Sequence, residues 1–320
     1  HHSVGGGIGI INADYYDIAG NEVHHTSNNS AYALYESGIS VWNLKGRAPN
    51  PAHLLDAAPF HTRILRNKVY LNWNAHPWSA SNPHTDGNGI IIDATNGSQE
   101  NGIDYGQQTL VQSNVIYKNG ARGIHVFFSH KVTVANNTLY GDMWDVGFTG
   151  TSRGELSNVC SNNNYWVNNL AWAVPGAAAL ASNRSVVDAT YFIPGCANSN
   201  VTWQNNLTWR GVAGDPSANF NDTQNGSTKL ATFIANNLEG VNPLLANAAG
   251  GDFELLPGSP AIYAGLSTPA YPPTDIAGTP MPNPPHIGAC GPLASSRLLL
   301  SDAVNFLLLA GGSSKLKLAN

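Results

Sequence analysis

Between residues 84 and 93 the chain reads HTDGNGIIID, which sets His84, Asp86, Asn88 and Asp93 around a short apolar run in a protein of which only 11% of residues are charged. Carboxylates and a histidine at such spacing are equipped for acid/base catalysis or for holding a cation. Further on, ARGIHVFFSHK (121–131) supplies Arg122, His125, Phe127 and Lys131, and GISVWN (38–43) supplies Trp42. A cation beside carboxylates suits an anionic substrate, and the faces of Trp42 and Phe127 suit the apolar C–H surfaces of sugar rings. Carbohydrate cleavage is the chemistry these residue types share. Asp86, Asp93, Arg122 and His125 are its candidate catalytic residues; Trp42, His84, Asn88, Phe127 and Lys131 are its candidate substrate contacts. If the reaction needs a metal, Asp86 and Asp93 offer oxygen donors of the kind calcium takes.

Residues this far apart need a repeating scaffold to bring them together, and the sequence contains one. YDIAGNEVH (16–24), TRILRNKVY (62–70), TLVQSNVIY (109–117), VTVANNTLY (132–140), YWVNNLAW (165–172) and VTWQNNLTW (201–209) share a frame in which an apolar residue falls three places before a fixed asparagine. That asparagine recurs as Asn21, Asn67, Asn114, Asn137, Asn169, Asn206 and Asn237. Asparagine tolerates a left-handed bend and its amide bonds to neighbouring backbone, so stacked coils would carry an internal ladder of it.

A second strand type opens with glycine and then alternates: GIGIIN (7–12), GISVWN (38–43), GIIIDA (89–94) and GIHVFF (123–128). Alternation puts Ile8, Ile39, Ile90 and Ile124 inside with Ile10, Val41, Ile92 and Val126. The outer face then holds the row Gly9, Ser40, Ile91, His125 and the row Ile11, Trp42, Asp93, Phe127. Strands about 4.8 Å apart would gather Trp42, Asp93, Phe127 and diagonally His125 into one patch, with His84 and Asp86 at its rim. The opening glycines are 31, 51 and 34 residues apart, so loops at 43–60, 72–86 and 94–106 should protrude and wall a groove.

This pattern predicts an all-β chain: a right-handed parallel β-helix over residues 1–292, with a closing segment from about 241. Residues 293–320 form a separate tail, in which RLLL, FLLLA and KLKLA recur every nine residues and predict a small β appendage. The formal net charge of −5 and the pI near 6.1 argue against a general nucleic-acid binder. No apolar run approaches the ~20 residues of a membrane-spanning helix. Of the three cysteines, Cys160 and Cys196 could pair in an oxidising compartment and leave Cys290 free; three buried thiols are the alternative.

The coil repeat over roughly residues 4–240 resembles the right-handed parallel β-helix proteins of the pectate-lyase-like superfamily. NPLLANAAGGDFELLPGSPAIYAG with TDIAGTP and HIGACGP is similar to the closing segment of many secreted β-helix proteins, where a final pairing seals the C-terminal end. The resemblance implies a secreted or cell-surface protein that cleaves an acidic polysaccharide by β-elimination. A cation, calcium at Asp86 and Asp93 or an arginine, would neutralise a uronate, and Arg122 or His125 would remove the proton α to it. Eight of the fifteen lysines and arginines (Lys45, Arg47, Arg63, Arg66, Lys68, Lys118, Arg122, Lys131) fall in the coils around the site, which would draw an anionic glycan.

HTDG and GIHVFFS are also similar to the NTDG and GHG motifs of polygalacturonases, which implies a hydrolytic alternative with paired carboxylates. The adjacent aspartate pair and the RIK-type motif of those enzymes are missing here. A third alternative is a noncatalytic glycan-binding spike, adhesin or structural shaft that self-associates through its tail.

Overall fold

A computed structural model describes residues 5–27, 36–46, 59–77, 84–99, 103–148, 153–175, 183–190, 196–218, 220, 232–268 and 273–294, with two short strands at 299–300 and 307–308. Successive strands in the chain fall on three different sheets, so each circuit of the backbone makes one coil. The first sheet stacks β1 (Ile8–Ile11), β4 (Ile39–Trp42), β7 (Ile90–Asp93), β10 (Ile124–Phe127), β13 (Gly154–Val159) and β16 (Arg184–Ala189). The second stacks β2 (Tyr16–Ala19), β5 (Thr62–Leu65), β8 (Thr109–Gln112), β11 (Val132–Ala135), β14 (Tyr165–Val167), β17 (Val201–Gln204) and β19 (Thr232–Ala235). The third stacks β3 (Glu22–His24), β6 (Lys68–Tyr70), β9 (Val115–Tyr117), β12 (Thr138–Tyr140), β15 (Leu170–Trp172), β18 (Leu207–Trp209) and β20 (Leu238–Glu239). Pairing within all three is parallel, and the architecture is a right-handed parallel β-helix. Among the described residues no helix is long and apolar enough to cross a membrane.

The register follows the opening glycines: Ile8 pairs with Ile39, Ile39 with Ile90, and Ile90 with Ile124. Side chains pointing inward from the three sheets meet in one core, with Ile39, Val41, Ile90, Ile92, Ile124 and Val126 fully buried and Trp166 stacked on Trp203. The glycines are sterically required. A Cβ on Gly89 would stand 2.4 Å from Ile116 Cγ2, and one on Gly123 2.4 Å from Leu139 Cδ2, because the first sheet begins hard against the third.

All seven asparagines of the ladder are in line. Each of Asn21, Asn67, Asn114, Asn137, Asn169 and Asn206 donates its backbone N–H and its Nδ2 to the Oδ1 of the asparagine in the next coil, at 2.8–3.1 Å. The left-handed bend falls one residue earlier than the sequence suggests, on Arg66, Ser113, Asn136, Asn168, Asn205 and Asn236, whose φ values are 51–58°. One residue bends the chain and the next satisfies the buried backbone that the bend exposes.

The closing segment departs from an end seal. β21 (Leu245–Asn247) and β22 (Asp252–Leu255) form an antiparallel pair, and Phe253 packs on Tyr117 and Tyr140 of the third sheet's outer face. From there the segment bonds to the bends between the second and third sheets. Asn205 Nδ2 donates to Ala264 O at 3.2 Å, Asn168 Nδ2 to Leu266 O at 3.0 Å, Asn136 Nδ2 to His286 O at 2.9 Å, and Ser113 Oγ to Thr274 O. It is a lateral strap over coils three to six. In the tail, β23 (Leu299–Leu300) pairs antiparallel with β24 (Leu307–Leu308); the third repeat, KLKLA, lies outside the described residues.

Cys160, at the end of β13, is disulfide-bonded to Cys196, and Cys290 is buried and free. The bridge closes 36 residues, for which chain entropy gives about 4 kcal/mol. Reduction, or the Cys160→Ser/Cys196→Ser pair, is therefore expected to lower the unfolding free energy by about that amount. Urea titrations with and without reductant measure it, and coincident curves would refute a stabilising bridge.

Candidate functional site

The outer face of the first sheet carries the two rows in the expected register. Trp42 pairs with Asp93 and Asp93 with Phe127 on adjacent strands, all three partly exposed; Ser40, Ile91, His125 and Ser157 form the row beside them. His125 stacks on Phe127 with ring centroids 5.2 Å apart, and Phe127 meets Phe128 edge-on. His125 itself is buried, with Nδ1 3.0 Å from Ser157 Oγ. Burial, then the charge of Arg122, holds its pKa well below the ordinary histidine range, so it is a neutral ring in the floor of the site.

Asp86 and Asn88 are also buried and tie neighbouring coils together. Glu36 N donates to Asp86 Oδ2 at 3.1 Å, Asn88 donates through both N and Nδ2 to Ser37 Oγ, and Arg122 N donates to Asn88 Oδ1 at 3.2 Å. The bend at Gly89 and the whole of β7 lie between the two aspartates, which sets them more than about 10 Å apart at strand rise. They cannot share one ion. Calcium takes six to eight oxygens, and Asp93 stands between two aromatic rings while Asp86 already accepts a backbone N–H. Among the described residues no three of His, Cys, Asp and Glu converge as a metal site. Among the described residues, neither end of the strand gathers the carboxylate oxygens that a calcium site takes.

Lys131 lies off the patch, exposed in the bend before β11, with Nζ donating to Gly106 O at 2.8 Å. The basic residues do not form one strip either. Arg63 pairs with Asp17 on the second sheet, Lys68 lies near Glu22 on the third, and Lys118 donates to Ala249 O of the strap; Arg47 lies outside the described residues.

The densest functional geometry is at the rim, on a segment that the sequence reading passed over. Between β12 and β13, residues 142–148 (DMWDVGF) place Asp145 with Oδ2 2.5 Å from His84 Nδ1. Asp145 Oδ1 accepts from Gly147 N at 2.8 Å, and His84 N donates to Gly147 O at 3.0 Å, so carboxylate and ring are each pinned by backbone. The Asp145 side chain is 5% exposed and that of His84 18%, and His84 Nε2 makes no hydrogen bond among the described residues. A carboxylate on Nδ1 fixes the tautomer that leaves Nε2 as a proton acceptor.

Beside this dyad two guanidiniums lie against the Phe148 ring, with Arg122 Cζ 4.5 Å and Arg153 Cζ 5.0 Å from its centroid. Arg122 Nη1 donates to Thr85 O, the carbonyl next to His84, and Arg153 Nη2 donates to Met143 O and Asp145 O. Burial, then the Arg122 charge, lowers Arg153 to about 10, and it remains a cation at neutral pH. The arrangement is an oriented histidine base flanked by buried positive charge.

Beneath it runs a second amide ladder. Thr26, Asn72 and Asn119 bond coil to coil and end on Asp142, whose Oδ1 accepts from Asn119 N and Nδ2. Asp142 N donates in turn to Glu155 Oε1 at 3.1 Å, Glu155 standing where earlier coils carry their opening glycine. Both acids are buried: burial raises Asp142 to about 6, and burial with the Asp142 charge raises Glu155 well above the ordinary carboxylate range. Folded, both bind protons more tightly than unfolded. The stability they carry is complete below about pH 4 and is lost as pH rises through about 6 and beyond. Glu155→Gln is expected to flatten this loss, read as a smaller difference between urea midpoints at pH 5 and pH 8; an undiminished difference would place the dependence elsewhere.

Fold and rim together define the class, a right-handed parallel β-helix with a histidine–aspartate dyad and two arginines at the edge of its first sheet. No family model matches the chain, and no curated protein matches it.

Proposed function

We propose that the protein is a secreted or cell-surface enzyme of the pectate-lyase-like superfamily that cleaves an acidic polysaccharide by β-elimination. The observation that carries this reading is His84, oriented by Asp145 and with Nε2 making no hydrogen bond among the described residues, beside Arg122 and Arg153. A uronate carboxylate drawn toward the guanidiniums has its charge balanced, which acidifies the proton on the adjacent ring carbon. His84 Nε2 takes that proton. The electron pair forms a carbon–carbon double bond as the glycosidic C–O bond at the β carbon breaks, and the leaving oxygen gains a proton from water or from the His84 imidazolium.

Asp145 stabilises that imidazolium, while Trp42 and Phe127 hold sugar on the sheet face with Asp93 between them. Arg122 serves as a charge rather than a base, His125 as a neutral hydrogen-bonding floor, and Asp86 and Asn88 fix the turn that aims His84. Elimination is preferred to hydrolysis because paired hydrolytic carboxylates stand about 5–9.5 Å apart, and Asp86 and Asp93 are separated by a whole strand.

The test is incubation with acidic and neutral polysaccharides, with and without chelator, following ultraviolet absorbance of unsaturated products beside reducing ends. Both signals rising together support elimination. Reducing ends alone move the reading to hydrolysis, and silence in both favours a noncatalytic shaft that assembles through its tail. Loss of turnover with chelator would restore calcium.

A further inference from the structure

The segment that carries Asp145 has a second face. Met143, Asp145 and Phe148 point into the protein, whereas Trp144 is 37% and Val146 64% exposed, with Val174 exposed nearby against Gly141. Trp144 is not a loose surface ring. Its Nε1 donates to Lys118 O at 2.8 Å, and its indole lies 5.2 Å from that of Trp73 at 51°. With its only polar atom bonded to backbone, the indole offers solvent a fixed apolar face.

We infer that Trp144, backed by Trp73 and with the exposed Val146 two residues further along the same segment, is a stacking subsite for a pyranose ring of the acidic polysaccharide, next to the point of cleavage. This rests on the function proposed above. Three observations choose a sugar as occupant. Trp144 and Asp145 are consecutive, and His84 is hydrogen-bonded to Gly147, so a ring on Trp144 belongs to the same bound chain as the bond facing His84. Among the described residues, the exposed indole of Trp144 with Val146 and Val174 is on the scale of one sugar ring and falls far short of the ~800 Å² per partner of a stable protein interface. The cations behind the segment, Arg122 and Arg153, favour an acidic polymer over a neutral one.

The experiment measures binding and turnover separately. Retardation in native gels containing polygalacturonate, alginate or neutral dextran reports binding by the full chain in a His84→Ala background, where turnover is expected to be slowed too far to consume the polymer during the run. Trp144→Ala is expected to weaken retardation by the acidic polymers roughly 5–10-fold, and Trp144→Phe to restore most of it. In the active enzyme Trp144→Ala should raise KM and leave kcat within about two-fold, with the difference vanishing for oligosaccharides too short to reach it. Unchanged retardation, or Trp144→Phe binding as poorly as Trp144→Ala while melting at the wild-type temperature, overturns the subsite. Failure of the wild-type chain to bind either acidic polymer also overturns it. If the chain binds in a Trp144-dependent way yet cleaves nothing, the subsite stands and elimination falls; if it cleaves with Trp144→Ala indistinguishable from wild type, the reverse holds.

Discussion

Replacing His84 by alanine is expected to lower the rate of unsaturated-product formation by about 10²–10⁴-fold, the usual contribution of a positioned base. Circular dichroism and melting temperature should stay near wild type, because the ring is partly exposed and its removal leaves Asp145 with its bond from Gly147 N. Asp145→Asn is the informative companion. It keeps the size and position of the carboxylate but removes the charge that balances an imidazolium, and its amide can present N–H to Nδ1 and favour the wrong tautomer. A drop comparable to that of His84→Ala is expected, with KM little changed. Were His84→Ala fully active, the base would lie elsewhere on the face, and the earlier candidates Arg122 and His125 would return to first place.

The largest stability effect should come from the middle of the asparagine ladder. Asn114 loses four buried hydrogen bonds on conversion to alanine: Nδ2 to Ile64 O and to Asn137 Oδ1, and those that its Oδ1 accepts from Asn67 N and Nδ2. Each stranded buried group costs about 1–3 kcal/mol, so Asn114→Ala is expected to destabilise by roughly 4–6 kcal/mol. Among the described residues Asn21 accepts no such pair, and it is partly exposed; Asn21→Ala in this chain should cost only about 1 kcal/mol. Urea denaturation of the two variants compares them directly, and equal costs would mean that the ladder contributes nothing beyond local turn chemistry.

These two expectations differ in how far the sequence foretold them. The ladder and the register were legible because a coil returns the chain to the same place, so residue columns in the sequence become rows in space. Trp42, Asp93 and Phe127 align for that reason. Asp145 and Arg153 were not legible. They lie in an irregular connection with no column to align, and His84 meets Asp145 across 61 residues. The acid pair escaped for a related reason. The second ladder changes residue type from Thr26 through Asn72 and Asn119 to Asp142, and Glu155 occupies a column that reads glycine in the four coils before it. The supposed basic cluster failed differently, since proximity in sequence does not say which of three sheets a side chain faces.

The lateral strap bears on how such a molecule comes apart. A stack whose units touch only their neighbours behaves as a one-dimensional chain, in which fraying can begin anywhere and stop partway. Here one continuous stretch of backbone holds the bends at Ser113, Asn136, Asn168 and Asn205, which belong to four successive coils. Any one of those coils can loosen only by pulling on a tether that the other three also grip. The free energy of opening is thereby pooled, and the central coils, including the two that carry His84 and Asp145, should melt as a single cooperative block instead of peeling one by one.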